Sequence, residues 1–529
     1  MVSLSACKVE KNYSFIKAPS FLDVAPPGGA DDELFLTHLD IKMKELKNFS
    51  PDFIFYQMGV DPIKEDKLGK TSLSFQGLMS RDECILGYAH ENKIPIFLAL
   101  GDGYALLIEL RVGAYTNTYR LAKKSMSKRA IIIGSGVAGL ACALTLKKGG
   151  FKPFILESES RVGGRIKTES SEGFLFDRGF QVLLNSYPEL PNFISFKKLK
   201  LQNFNSGALI YGEDYNRLLA NPLRHPKFLM TSLFSDIATL GDKMRVGALL
   251  VKVMSSTELQ YLKGQTTLEF LKEFGFSERF ISHFWQPFFT GVYLDKTLSL
   301  DAHYFLFLLR AFSIGSVSLP ANGMEEIPKQ MASTLDPESI LTSARVSEIK
   351  KDHVKLENGE TLQADFVIKA FNSVSSNATS NSILKFRSVT TYYFCSSEKP
   401  DWGKWLLLVP PGAGYQINSV SLLSEVSSGY APPGQVLFSA SVVGGSDQAS
   451  PDLIRDELIH FSRKKLNLRH ISTVTVKHAL PIMAEKLSSE FSLDQEVYEC
   501  GDHLSAPSLN GALRSGRLCA MAIIKKNEN

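Results

Sequence analysis

Residues 130–139 read Ala-Ile-Ile-Ile-Gly-Ser-Gly-Val-Ala-Gly, and residues 161–165 read Arg-Val-Gly-Gly-Arg. Four apolar residues running directly into a glycine-rich turn describe a short buried strand that hands over to a helix. In such a turn Gly134 permits the tight bend, Gly136 lets backbone approach a pyrophosphate, and Gly139 lets the helix pack against the strand. The helix predicted over 137–148 carries Val137, Leu140, Ala141, Leu144 and Leu146 and is apolar enough to lie on a sheet. Its first turn, beginning at Val137 and Ala138, offers unpaired N–H groups and a positive dipole end to an anion. A second strand, Pro153-Phe154-Ile155-Leu156, ends in Glu157, about 18 residues past Gly139. There a carboxylate accepts hydrogen bonds from ribose hydroxyls. These features describe a dinucleotide-binding βαβ unit, although the glycine pattern alone fits NAD or FAD.

The surrounding residues narrow the choice. Glu157-x-x-x-Arg161-x-Gly163-Gly164-Arg165 is followed by Gly173-Phe174-x-Phe176-Asp177-x-Gly179. Near the far end stand Val497-Tyr498-Glu499-Cys500-Gly501-Asp502 and Ser508-Leu509-Asn510-Gly511-Ala512-Leu513-x-Ser515-Gly516. Together these motifs resemble the flavin amine oxidase superfamily, which includes monoamine and polyamine oxidases, protoporphyrinogen oxidase and carotenoid desaturases. The resemblance implies FAD as cofactor. It places Gly501 and Asp502 near the ribityl and pyrophosphate, and the helix start at Asn510, Gly511 and Ala512 near the isoalloxazine. By the same analogy the Val346 backbone touches the adenine. Further family-like stretches are Phe288–Tyr293, Leu319–Met324 and Ala364–Ala370, the last departing from the usual small residues at Lys369 and Phe371.

The implied fold class is α/β: a Rossmann-like FAD-binding domain built from about 126–205, 320–372 and 481–529, with a mixed α+β substrate domain from about 206–319 and 373–480. In this superfamily the flavin takes hydride or its equivalent while the protein supplies orientation and excludes water. The catalytic residues stay unassigned. Lys296, Lys369, Gln181 and Gln286 lie beside family-like segments, and each also reads as a solvated lysine or a satisfied loop amide. Local signals fill in the substrate domain. Thr266-Thr267-Leu268-Glu269 is a capping box, Gly275 closes the helix that follows, and Ser277 starts another that Pro287 interrupts. Helices dominate 225–310. Asn358-Gly359 within 354–362 predicts a hairpin with a type I′ turn, and strands fit 386–395 and 436–443 in a mixed sheet flooring the substrate cavity. The stretch Tyr304–Leu309 reads as a buried helix or as a wall of an apolar cavity.

Residues 1–125 differ in character. Phe53–Pro62, Asp66-x-Leu68-Gly69, Gly77-Leu78-x-x-Arg81-Asp82 and Pro95–Tyr104 resemble the C-terminal part of a histone deacetylase-like domain. The resemblance implies a partial arginase/deacetylase-like α/β fragment in which Asp61 occupies a residual zinc-ligand position and Tyr104 an oxyanion-donor position. The remaining ligands are missing from these residues, and Asp102 replaces an expected glycine. A catalytic zinc needs three protein ligands, so no complete metal site is expected and the fragment should be inactive alone. Leu121–Ser125 closes the fragment, and Met126-Ser127-Lys128-Arg129 reads as an ordinary protein start, as though the tail of one reading frame were fused to a neighbour.

Composition suits a large globular enzyme. At 529 residues the chain exceeds what one core serves. A hydrophobic content of 44% with 22% charged residues excludes disorder, and a net charge of +4 offers no case for nucleic acid. No apolar run approaches the ~20 residues of a membrane span. The first ten residues lack a secretory pattern, and the six cysteines show no C-x-x-C, which suits a cytoplasmic setting. Three functions follow. The first is an FAD-dependent oxidoreductase acting on an amine or an apolar small molecule, the 35 phenylalanines leaning toward the latter. The others are a zinc deacylase carried by the N-terminal part and a noncatalytic flavin-fold protein.

Overall fold

The computed structural model describes residues 4–5, 22–23, 26–49, 51–92, 94–101, 103–105, 107–125, 128–222, 224–255, 264–371, 385–412, 414–444, 449–482 and 496–528. Asp102 and the Met126-Ser127 junction lie outside them. The chain divides into two compact units, Met1–Lys128 and Arg129–Asn529.

In the first unit the helices Asp32–Phe49, Phe75–Glu91 and Ile108–Ser125 accompany the parallel strands Ile54–Met58 and Ile96–Leu100. Phe35, Leu39 and Met43, spaced at one helical face, pack with Met58, Leu73 and Leu78. Tyr56 and Thr118 donate to the buried Asp82 carboxylate, which Arg81 also engages.

The second unit is built on a five-stranded parallel sheet in the order Ile340–Leu341, Lys152–Leu156, Arg129–Ile133, Phe366–Lys369, Tyr498–Glu499. Its central strand reads Arg-Ala-Ile-Ile-Ile because a parallel strand covered on both faces is apolar on both. The helix Val137–Lys148 follows, buried at Val137 through Leu144 and at Leu146, and the final helix Leu509–Glu528 packs against it. The strand order brings the first and last segments of the unit to one sheet, which a linear reading does not reveal.

A seven-stranded sheet forms the second layer: Arg217–Ala220, Gly207–Ile210, Leu406–Leu408, Ser419–Leu422, Val436–Val443, Phe386–Ser396, Arg469–Pro481. It is mixed, as expected, with one parallel pair between Gly207–Ile210 and Leu406–Leu408. The alternation of strand side chains gives it two unlike faces. Val420, Phe438, Ala440 and Tyr392 pack with Ile454, Leu458 and Phe461 of the helix Pro451–Ser462. The register places the buried Ser419, Ser441 and Thr391 in one row on the other face, and Ser421, Ser439 and Tyr393 in the next.

Two local expectations need correction. The helical run does not end at Pro287: Glu278–Phe280 continues through a π-helical turn, Ile281–Trp285, into Gln286–Tyr293. Proline sits there in the first turn of a new helical segment, where its missing N–H costs least. The hairpin joining His353–Leu356 to Thr361–Gln363 is present, but only Gly359 takes a positive φ (91°), so the turn is not type I′. Asn358 instead accepts the Glu360 N–H at 3.0 Å through its side chain, which sets the bend locally. The capping box at Thr266 and Glu269 and the cap at Ser277 form as read.

Candidate functional site

The glycine turn and the Arg161–Arg165 loop meet backbone to backbone. The Gly134 N–H donates to the Leu156 carbonyl at 2.8 Å, which holds the turn to the end of the second strand. A Cβ at Gly139 would stand 2.1 Å from the Gly134 carbonyl oxygen, so only glycine lets the helix start this close to the strand. Gly136 caps the helix without any side-chain bond, the first turn holds no acid, and a Cβ on Gly136 would meet nothing within 4 Å. The amides of Val137 and Ala138 therefore begin a helix whose N-terminus no side chain among the described residues caps, with open space beside the cap. That arrangement fits a pyrophosphate. Gly163 bridges Gly136 and donates to the Ser135 carbonyl at 3.1 Å. Gly164, at φ 58°, would press a Cβ to 3.2 Å from the Gly136 Cα.

Glu157 stands at the end of its strand, with its carboxylate bound to the turn. Its Oε2 accepts from the Ser135 N–H at 2.8 Å and the Ser135 hydroxyl at 2.5 Å, while Oε1 accepts from the Glu159 N–H at 2.9 Å. The Ser158 hydroxyl also donates to Oε1 at 3.3 Å, so the roughly four acceptor sites of the carboxylate are filled, and a ribose hydroxyl would take the place of that long, weak bond. Val346 opens a three-stranded antiparallel sheet and packs partly buried against Leu156, Ala344 and Leu356.

The two arginines have different duties. Arg161 binds the buried Glu325 at 3.0 Å, Glu169 at 2.6 Å and the Thr168 carbonyl at 3.0 Å, fastening its loop to the helix Glu326–Ala332 and its approach. Arg165 reaches the other end of the chain: its Nη2 donates to the Asp502 carboxylate at 2.5 Å and its Nη1 to the Ala479 carbonyl at 2.8 Å. Gly501 donates to the Ser515 hydroxyl, Asn510 accepts the Glu189 N–H at 3.1 Å, and Ser508 caps the last helix by accepting from the amides of Gly511 and Ala512. Both glycine-rich regions and the Gly501-Asp502 pair thus converge on one end of the parallel sheet.

The family profile described as Flavin containing amine oxidoreductase matches residues 137–524. The chain belongs to this family. A histone deacetylase domain profile matches residues 17–118. Among curated relatives, the protoporphyrinogen oxidase of Nicotiana tabacum is 24% identical over 184 residues, 34% of this chain and 36% of that one. The coproporphyrinogen III oxidase of Bacillus subtilis is 22% identical over 390 residues, 63% of this chain and 81% of that one. The chain spans 38% and 36% of the lengths of the first two curated relatives it matches. An oxidoreductase from Methanosarcina mazei superposes with a TM-score of 0.59 at 17% identity, over 75% of this chain and 100% of that one, which shows the fold.

The family motif Phe174-x-Phe176-Asp177 turns out to organise a buried knot that its sequence did not disclose. Asp177 accepts from the Thr168 hydroxyl at 2.5 Å, the Met324 N–H at 2.9 Å and the Tyr430 hydroxyl at 2.8 Å, and the Tyr393 hydroxyl donates to its carbonyl. Burial pushes its carboxyl up to about 6, against the pull of those donors. A raised native pKa favours the protonated form in the fold. The resulting stability is present below the unfolded value of ~3.9, lost as pH rises toward 6, and flat above it, a span worth roughly 2–3 kcal/mol. Thermal midpoints of the parent and of Asp177→Asn across this range check the point. The parent should lose stability relative to the variant as pH climbs, and parallel curves would refute the assignment.

Two further contacts of the family site lay beyond sequence reasoning. Lys167 is fully buried and pairs with Glu159, whose carboxyl it holds below the usual range. Tyr187, Phe307 and Tyr304 stack in turn beside the start of the last helix, where the Tyr304 hydroxyl donates to the Pro507 carbonyl at 3.4 Å. The helix Ala302–Ile314 that carries two of these rings is otherwise a core helix, with Phe305, Leu306, Leu308 and Leu309 buried. Gln181 donates to the carbonyls of Arg165 and Arg178, and Gln286 to that of Lys296. Both amide nitrogens are bound to backbone carbonyls, that of Gln181 from a loop and that of Gln286 from the first residue of its helix. Lys296 is exposed, and Lys369 ends its strand beside Glu499.

In the N-terminal unit Asp61 and Tyr104 lie in loops, and Tyr104 is half exposed with its N–H bound to Asp66. Among the described residues no three His, Cys, Asp or Glu side chains converge to hold a metal. A catalytic zinc therefore does not fit the residues that are described.

Proposed function

We propose that this chain is an FAD-dependent oxidoreductase that oxidises or desaturates an amine or an apolar small molecule. The carrying observation is the Arg165–Asp502 pair, which joins the first flavin motif to the last one beside the uncapped helix at Gly136. Gly134, Gly136, Val137, Ala138 and Gly139 would take the pyrophosphate, Glu157 the ribose, and the Val346 backbone the adenine. The loop Arg161–Arg165, with Gly163 and Gly164, would close over the dinucleotide, and Gly501, Asp502, Asn510, Gly511 and Ala512 would receive its flavin half. A bound flavin supplies the hydride acceptor. The protein's own contribution is orientation and the exclusion of water by the stacked Tyr187, Phe307 and Tyr304, whose apolar faces lean toward an apolar substrate. We assign the seven-stranded sheet as the floor of the substrate cavity, residues 126–529 as the catalytic part, and residues 1–125 as an inactive deacetylase-like fragment.

The test is the visible spectrum of the purified full-length protein before and after denaturation, followed by anaerobic addition of polyamines, porphyrinogens and carotenes in turn. FAD released near one per chain, with bleaching by one substrate class, is expected. Protein without flavin sinks the proposal. Bound flavin that no substrate class reduces favours a noncatalytic flavin-fold protein.

A further inference from the structure

We propose that the helix Leu240–Ser255 seats the protein on an anionic lipid surface, lying in the interface rather than crossing it. This helix is amphipathic twice over. Leu249 and Val253 are buried, and Val246 and Leu250 pack against the same core, which accounts for one face. The opposite face is apolar as well: Leu240, Met244 and Val251 are 66%, 65% and 68% exposed, and Met254 is exposed beside them. At about 100° per residue these four fall within an arc of roughly 120° that also contains Gly247 and Ala248. An apolar stripe of this length, continuous along four turns and open to water, marks an interaction surface.

Charge selects the partner. Lys243 borders one edge of the stripe, and Arg245 and Lys252 border the other. Lys243 also donates to the Ser235 carbonyl. The single acid in the helix, Asp242, is buried, where it accepts from the N–H and hydroxyl groups of both Thr239 and Ser277. The segment just upstream continues the pattern, with Phe234 75% exposed, Met230 exposed, and Lys227 nearby. Asp236 is held by Arg217 and Arg279. Apolar residues at the centre, cations on both margins and no exposed acid on the helix form the pattern of an interfacial helix. Its apolar face enters the acyl boundary while Lys and Arg reach the headgroups. A protein partner of matching shape would call for exposed acids or several hydrogen-bonding groups within the stripe, whereas the helix presents there no acid and one hydroxyl, Ser255, which donates back to the Val251 and Lys252 carbonyls. Among the described residues no helix is long and apolar enough to cross a membrane, so the contact would be peripheral.

The experiment is co-sedimentation of the full-length protein with phosphatidylcholine vesicles, with and without phosphatidylserine, at low and high salt. Binding should require phosphatidylserine and weaken with salt. The double variant Met244→Glu/Val251→Glu should lose binding by about tenfold or more while keeping the parent's thermal midpoint and flavin content. Light scattering on both proteins reads the competing occupant. A parent that ignores the vesicles overturns the proposal, as does a double variant that binds equally well. A parent that is dimeric and made monomeric by the two substitutions overturns it too, since the stripe would then join two copies.

Discussion

Gly516→Val should yield a protein that is purified without flavin and unfolds several degrees below the flavin-free parent, whereas Gly136→Val should lose the flavin and keep the thermal midpoint of the flavin-free parent. Both positions belong to glycine-rich motifs, yet the space around them differs. A Cβ on Gly516 would lie 2.1 Å from the Ala138 carbonyl oxygen and 3.0 Å from the Cys142 amide nitrogen, both in the helix Val137–Lys148. These are backbone atoms of a buried helix, and relief requires the two helices to separate. Overpacking of this kind costs about 1–3 kcal/mol. Separation would also shift Ala138, in the turn we assign to the pyrophosphate. At Gly136 an added Cβ meets no heavy atom within 4 Å, and φ of −64° suits any residue. Valine there would extend into the space we assign to the pyrophosphate. Thermal melts and released-FAD absorbance on the two variants separate a packing glycine from a binding one. Equal midpoints for the flavin-free parent and Gly516→Val, or full flavin content in Gly136→Val, would contradict the assignment.

Removal of the Asp502 carboxylate should weaken flavin retention by about 10- to 100-fold, because a hydrogen bond to a charged group is worth roughly 1.5–3 kcal/mol. Asp502 is buried and bound to Arg165 across 337 residues of chain, with Arg165 also holding the Ala479 carbonyl. In Asp502→Ala the guanidinium loses the partner that aims it, and the loop carrying Gly163 and Gly164 is freed from the last segment of the fold. Asp502→Asn should recover part of the loss, since its amide oxygen still accepts from Arg165. Arg165→Ala should resemble Asp502→Ala, and the double variant should be little worse than either, as expected of residues acting through one contact. Additive losses would mean that each residue touches the cofactor independently of the other.

The features legible from the amino-acid order were those decided within a few residues. The glycine spacing at 134, 136 and 139 anticipated the strand, turn and helix because sterics at Cβ act locally. The capping box at Thr266 and Glu269 was visible because both partners lie within one helical turn. Local rules failed where two of them competed. Asn358-Gly359 suggested mirror-image turn geometry, but the Asn358 side chain bonded the Glu360 amide and kept its own φ negative. Pro287 suggested a helix end, but a π-helical turn placed it at the start of a new segment.

What the sequence alone determined was the family and the candidate cofactor site that its motifs mark, through residue types and their spacing. The tertiary structure decided which distant residues complete it. Arg161 meets Glu325 and Arg165 meets Asp502 only because the strand order sets Arg129–Ile133 between Lys152–Leu156 and Phe366–Lys369, with Tyr498–Glu499 beside the latter. The same holds for the helix Leu240–Ser255, whose periodicity shows two apolar faces and cannot say which one the core will cover. Side-chain sterics and capping act over a turn or two, whereas burial is settled by the path of the whole chain, so contacts between segments hundreds of residues apart leave no local trace.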